Sequence, residues 1–322
     1  MSPQQRPMTP FEWGLLLLLS VLWGGSFFFV GMAVKQLPPF TIVALRVSIA
    51  AALLWLTAPA TGLSPQNMRA QIGPLLVLGL LNNAIPFTLI VWGQTHLASG
   101  LASILNASTP VITVVAAHFL TTTERLNARK IAGALFGLIG VAAMIAPDLA
   151  HGLRQELLAE LAILGAALAY ALSSVYGRRF RAAGLAPIDV AAGQMTASSL
   201  MLLPLALIVD RPWSLPAPSL EVASAVLGLA ALSTALAYVV YFRILAGAGA
   251  TNVVLVTLLA PATSVLLGAF SLGEHLAPRD FLGLLLIAIG LALIDGRPVQ
   301  AMARKLACFR PLGPLRGRAK PN

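Results

Sequence analysis

Charge is what this 322-residue chain has little of: Asp, Glu, Lys and Arg make up only 10% of it, against 58% hydrophobic residues. A soluble domain ordinarily carries about 25% charged residues. The deficit excludes a water-facing surface of the usual kind. With a mean hydropathy of +0.87, it points to lipid as the solvent, where outward faces must be apolar. Cys308 is the single cysteine, which excludes a disulfide frame or a cysteine zinc set. There is no Walker A run, so P-loop ATP hydrolysis within the chain is excluded. All eleven carboxylates fall in loops or near the ends of apolar runs, and His96 and His118 sit near the ends of one run. A proton relay usually needs an acidic group at mid-depth, so facilitated diffusion or exchange is favoured over proton antiport. Intramembrane serine proteolysis needs a buried Ser–His pair and prenyl transfer needs clustered aspartates. Neither pattern is present, and no cofactor or metal is called for.

What is present is a series of ten apolar runs: 11–34, 40–58, 72–92, 97–120, 131–146, 157–180, 188–209, 222–242, 252–272 and 281–294. Most meet the ~20 residues that cross a hydrocarbon core; the fifth and tenth are short, each closing its half. The first run continues past the leucines to Val34 without a small-residue cleavage site, so it reads as a retained span rather than a signal peptide. Positive charge sets the sidedness. With the N-terminus inside, sixteen basic residues face the cytoplasm and four face outward, with Arg46 alone inside a span. Both termini are then cytoplasmic. The formal charge of +10 sits in loops and in the tail, not on one solvated face with interleaved aromatics, so nucleic acid is not the expected partner. Residues 1–10 form a short cytoplasmic start, 147–156 an external linker and 296–322 a basic tail suited to anionic lipid.

The two halves, 11–146 and 157–295, carry one motif twice. Pro110 is followed by Glu124, Gly133 and Gly140; Pro261 is followed by Glu274, Gly283 and Gly290 at nearly the same spacings. Other positions pair as well: Trp23 and Ser26 with Tyr170 and Ser173, Arg46 with Gln194, Asn82 and Asn83 with Ser233 and Thr234, Phe87 with Tyr238, and Asn106 with Thr257. An odd number of spans separates the copies, so the second is upside down. Inverted repeats with broken helices are how many secondary transporters build a central site with two exits. The expected fold is all-α and integral to the membrane, ten transmembrane helices in two five-helix inverted repeats.

The run Ser108-Thr109-Pro110, Glu124, Ile131-Ala132-Gly133-Ala134 and Gly140-Val141, with Trp23-Gly24-Gly25-Ser26-Phe27 and Leu45-Arg46, resembles the drug/metabolite transporter superfamily. More narrowly it is similar to the EamA-type ten-span exporters, near the YddG-type amino-acid exporters. The resemblance covers residues 11–295 and implies a central cavity and export of small metabolites. Thr121-Thr122-Thr123 departs from the Leu-Gly usual before the glutamate; Leu272-Gly273-Glu274 keeps it.

Polar groups at membrane depth are costly unless paired or facing a cavity. The candidate binding set is therefore Trp23, Ser26, Arg46, Asn82, Asn83, Phe87, Asn106, Tyr170, Ser173, Gln194, Ser233, Thr234, Tyr238 and Thr257. Interhelical hydrogen bonding is the alternative for each Ser and Thr. For the adjacent Asn82–Asn83 pair the cavity is favoured, since helix neighbours point ~100° apart. Arg46 either meets a substrate carboxylate or snorkels outward and caps carbonyls. Pro110 and Pro261 read as mid-helix kinks that flex in gating. Thr121–Glu124 and Ser271–Glu274 fit capping boxes, and the glycines suit close packing of spans five and ten, within the bundle or between protomers of a homodimer.

The expected function is alternating-access export of amino acids, aromatic or other neutral ones, across the cell inner membrane by a monomer or homodimer. A passive channel and a sugar-phosphate or nucleotide-sugar translocator are the alternatives. The latter would need several buried cations, where only Arg46 is offered.

Overall fold

The computed structural model describes residues 8–121, 126–150, 155–253 and 255–296, and these fold as a bundle of helices. In chain order the principal ones are α1 (Pro10–Ala33), α2 (Pro39–Leu56), α3 (Ile72–Gly93), α4 (Ser99–Leu120), α5 (Ala128–Ala150), α6 (Gln155–Tyr176), α7 (Pro187–Val209), α8 (Leu220–Ala248), α9 (Val256–Leu272) and α10 (Pro278–Asp295). By length and composition α1 to α8 can cross a membrane. Helix α9 is apolar but shorter, and α10 carries Arg279, Asp280 and Asp295 at its ends. The fifth and tenth elements are not short, as the apolar pattern suggested. Helix α5 has 23 residues and α10 has 18, because polar end turns such as Ala128-Arg129-Lys130 extend the apolar run.

Prolines open α1, α2, α7 and α10, where a missing N–H costs nothing. Thr9 and Glu12 cap α1 reciprocally: the Thr9 N–H donates to Glu12 Oε2 at 2.8 Å and the Glu12 N–H to Thr9 Oγ1 at 3.3 Å. Other starts are capped from distant segments. Asp210 accepts from the Thr41 N–H and hydroxyl at 2.6 and 2.9 Å. Glu274 accepts from the Ser99 N–H, the Ser99 hydroxyl and the Gly100 N–H at 2.8, 2.8 and 3.1 Å. Glu274 thus caps α4 from the α9–α10 loop, and the Ser271–Glu274 box expected from spacing does not form. Glu124 lies outside the described residues. Losing a helix cap costs about 0.5–2 kcal/mol, so Glu274→Ala is expected to lower unfolding stability by about that much, read as an earlier thermal transition in detergent.

The proline motifs part ways. Helix α4 breaks at Ala107–Ser108, so Pro110 sits in the first turn of its second part and is no mid-helix kink. Pro261 lies inside α9.

Helix α5 packs on α10, α2 on α7, α1 on α9 and α8, and α6 on α4 and α3. The α5–α10 contact is made by glycines within the bundle. A Cβ on Gly133 would lie 2.5 Å from the Gly290 carbonyl, and one on Gly140 would lie 2.8 Å from that of Gly283. Gly137 faces Val111 of α4 instead, with a would-be Cβ 2.6 Å from Cγ2.

Candidate functional site

Helices α3 and α8 each contain a π turn, at Leu80–Ala84 and Ala231–Leu236. A π turn inserts an extra residue and displaces the regular donor of a carbonyl; such bulges are frequent at functional sites. In α8, Thr234 fills that gap by donating its hydroxyl to the Leu229 carbonyl at 2.8 Å. The hydroxyl has one proton, so its lone pair is left for Arg46, whose Nε donates to it at 3.0 Å. The Arg46 guanidinium also lies 3.6 Å from the Phe87 ring centroid, a favourable cation–π placement. Arg46 is only 6% exposed, so it neither snorkels outward nor reaches the bundle end. Among the described residues no carboxylate pairs with it and nothing bonds to its Nη groups.

Asn82 forms the second network. Its Nδ2 donates to Gln194 Oε1 at 2.9 Å and to the Tyr238 hydroxyl at 3.2 Å, and its Oδ1 accepts from the Ser173 hydroxyl at 2.9 Å. These bonds link α3 to α7, α8 and α6.

Both networks stand in the wall of a cavity of ≈ 460 Å³. Trp23, Ser26, Arg46, Asn82, Phe87, Asn106, Tyr170, Ser173, Gln194, Ser233, Tyr238 and Thr257 all line it, as does Pro261. Asn83, Thr234 and Pro110 do not. Asn83 is 0% exposed and donates to Ser198 Oγ at 3.1 Å, behind the wall. Both adjacent amides find protein partners, because α7 presents Ser198 and Gln194 to the π turn on successive sides. Thr234 supports Arg46 instead of facing the cavity. Glu160 and Asp189, 1% exposed and near their helix ends, are also absent from the wall.

Ser103, Thr109 and Phe242 line the cavity without having been singled out. Thr109 had a signal, standing beside Pro110 in the run that carries the family resemblance. Phe242 had none: it is one more aromatic in an apolar run, and only the rotation of α8 after its π turn turns it inward. There it meets Tyr238 and Tyr241 at ring distances of 5.9 and 5.2 Å, and Trp23 stands 5.7 Å from Tyr241.

Comparison with known proteins agrees with this architecture. The model of the EamA-like transporter family matches twice, over residues 12–146 and 157–295. The "Probable amino-acid metabolite efflux pump" of Escherichia coli (strain K12) is 25% identical over 286 residues, 86% of this chain and 92% of that one. The "Uncharacterized inner membrane transporter YedA" of the same strain is 27% identical over 301 residues, 89% and 94% of the two chains. A solved crystal structure superposes with a TM-score of 0.63 at 22% identity, covering 89% of this chain and 98% of its own, a likeness of fold. On the twofold family match and the shared helical architecture, this chain belongs to the EamA-like transporter family and is a membrane transporter.

Proposed function

We propose that this transporter exports small metabolites, amino acids first, by alternating access in a cavity between two inverted five-helix repeats, residues 11–146 and 157–295. The observation that carries the reading is where the polar cavity lies. Its hydrogen bonds join the two halves directly: Arg46 to Thr234, Asn82 to Gln194, and Ser173 to Asn82. Helix pairing supports a twofold relation. The α1–α9 and α6–α4 contacts exchange under it, as do α1–α8 and α6–α3, while α2–α7 and α5–α10 map onto themselves. Helices α9 and α10 complete a ten-span count. Distribution of basic residues favours cytoplasmic termini, and the name of one relative favours the inner membrane. The name of another favours amino-acid metabolites as cargo. Because Gly133, Gly140, Gly283 and Gly290 are consumed inside the bundle, a monomer suffices for the transport unit. Substrate binding falls to the cavity-lining residues named above, with Pro261 as the hinge.

Purified protein in proteoliposomes tests the function. Counterflow of labelled amino acids that saturates and is stimulated by unlabelled solute on the far side is expected; linear flux without stimulation would make it a channel. Movement of a sugar phosphate alone would favour the translocator alternative. Topology has its own test in a Cys308→Ser background. Asn127→Cys and His275→Cys are expected to react with an impermeant maleimide from opposite faces, and labelling of both from one face would remove the inverted repeat.

A further inference from the structure

Resting on that transporter reading, we propose that the solute is bound through one carboxylate by Arg46, and that the cavity discriminates against positively charged amines. The cavity holds one formal charge and no described counter-charge. Among the described residues Arg46 is the only charged one in its wall, and its Nη groups take no bond from them. An uncompensated buried ion costs several kcal/mol, so a guanidinium held in place by Thr234 and Phe87 favours an anion beside it. A planar fork is matched to a carboxylate.

Hydrogen-bond polarity in the wall points the same way. Arg46 Nη, Trp23 Nε1 and the Tyr170 hydroxyl are donors without a partner among the described residues. The amide oxygens, by contrast, each already have one donor within reach: the Ser173 hydroxyl, shared with the Tyr170 carbonyl, for Asn82 Oδ1, and Asn82 Nδ2 for Gln194 Oε1. Asn106 Oδ1 has no partner among the described residues but is itself buried, so it does not meet the three donors an ammonium brings. The mate of Arg46 in the other half is the neutral Gln194, so a second anionic group finds no second cation. An aromatic monocarboxylate without an ammonium (a 2-oxo acid or an acylated amino acid, for instance) therefore binds at least as well as the corresponding amino acid.

The test uses three solutes sharing a phenyl ring and chain length: 3-phenylpropionate, phenylalanine and phenethylamine. Their affinities for the full chain in lipid nanodiscs are measured by calorimetry. 3-Phenylpropionate is expected to bind as tightly as phenylalanine or tighter, and phenethylamine about tenfold more weakly. A charge-assisted bond is worth about 1.5–3 kcal/mol, so Arg46→Gln should weaken both carboxylates by about tenfold or more and tighten the amine, because the repelling cation is gone. Arg46→Lys should recover only part of the loss, since it restores the charge without the fork. Thr234→Val, which keeps the cation but frees it, should weaken the carboxylates several-fold, and it provides the reading if Arg46→Gln fails to fold. Equal affinity for amine and carboxylate, carboxylate binding indifferent to these variants, or no binding of any of the three at about 10 mM would each overturn the proposal. Binding in the expected order without counterflow would instead count against transport and leave the charge assignment standing.

Discussion

Asn82→Leu is expected to cut transport by about ten- to a hundredfold while the protein still reaches the membrane. Asn82 makes three hydrogen bonds, to Gln194, Tyr238 and Ser173, that tie α3 to three helices around the cavity. Each such bond contributes on the order of 0.5–1.5 kcal/mol net, and losing one partner leaves the others unsatisfied. The combined loss falls at the contact between the two halves, which the proposed alternating-access cycle rearranges. Asn83→Leu serves as the control. Its side chain has the same heavy-atom shape, and its Oδ1 has no partner to lose. Ser198, which it contacts, also donates to the carbonyls of Gln194 and Gly79. Flux within about twofold of wild type is expected for Asn83→Leu, measured as counterflow normalised to protein in the vesicles. Equal loss in the two variants would mean that the polar layer acts through folding rather than through the cavity.

Gly290→Leu is expected to leave little folded protein. Helices α5 and α10 meet backbone to backbone at this point, and the nearest atoms to an added Cβ are the Gly133 carbonyl and the Gly137 backbone nitrogen. No rotamer relieves a clash with backbone; the helices must separate. Overpacking of ordinary cores costs about 1–3 kcal/mol, occasionally more, and this contact belongs to the upper end because no flexible side chain can yield. Loss of the monodisperse peak in size-exclusion chromatography, and a fall in the thermal transition, would register it. An intact peak for Gly290→Leu would mean that α5 and α10 sit farther apart than described here.

Several of these features were legible before any coordinates. Hydrophobic runs located α1 at 11–34 against the observed Pro10–Ala33, and α7 at 188–209 against Pro187–Val209, because a span is written in the sequence as uninterrupted apolarity. Recurrence of polar residues at matching positions gathered twelve of the fourteen candidate binding residues into one cavity wall. The exceptions have local causes. Asn83 and Thr234 both sit in π turns, where the extra residue shifts the helical face. Glu274 fitted a local box by spacing, yet its oxygens are taken by Ser99 and Gly100, 175 and 174 positions away. Pro110 and Pro261 occupy the same place in the motif, but α4 breaks before the first while α9 runs through the second.

Composition and apolar patterning by themselves determined a lipid-embedded helical bundle with a polar centre, because burial in lipid forces every span to be apolar and self-bonded, and any polar residue left inside marks a contact or a cavity; the repeated motif and the resemblance it carries made that bundle a transporter. Which of those polar residues face the cavity, and that Arg46 is braced by Thr234 and Phe87 with no partner for its remaining donors among the described residues, only the tertiary structure decided. Those outcomes depend on helix rotation and on bonds between positions up to 188 residues apart, and neither is encoded in local pattern.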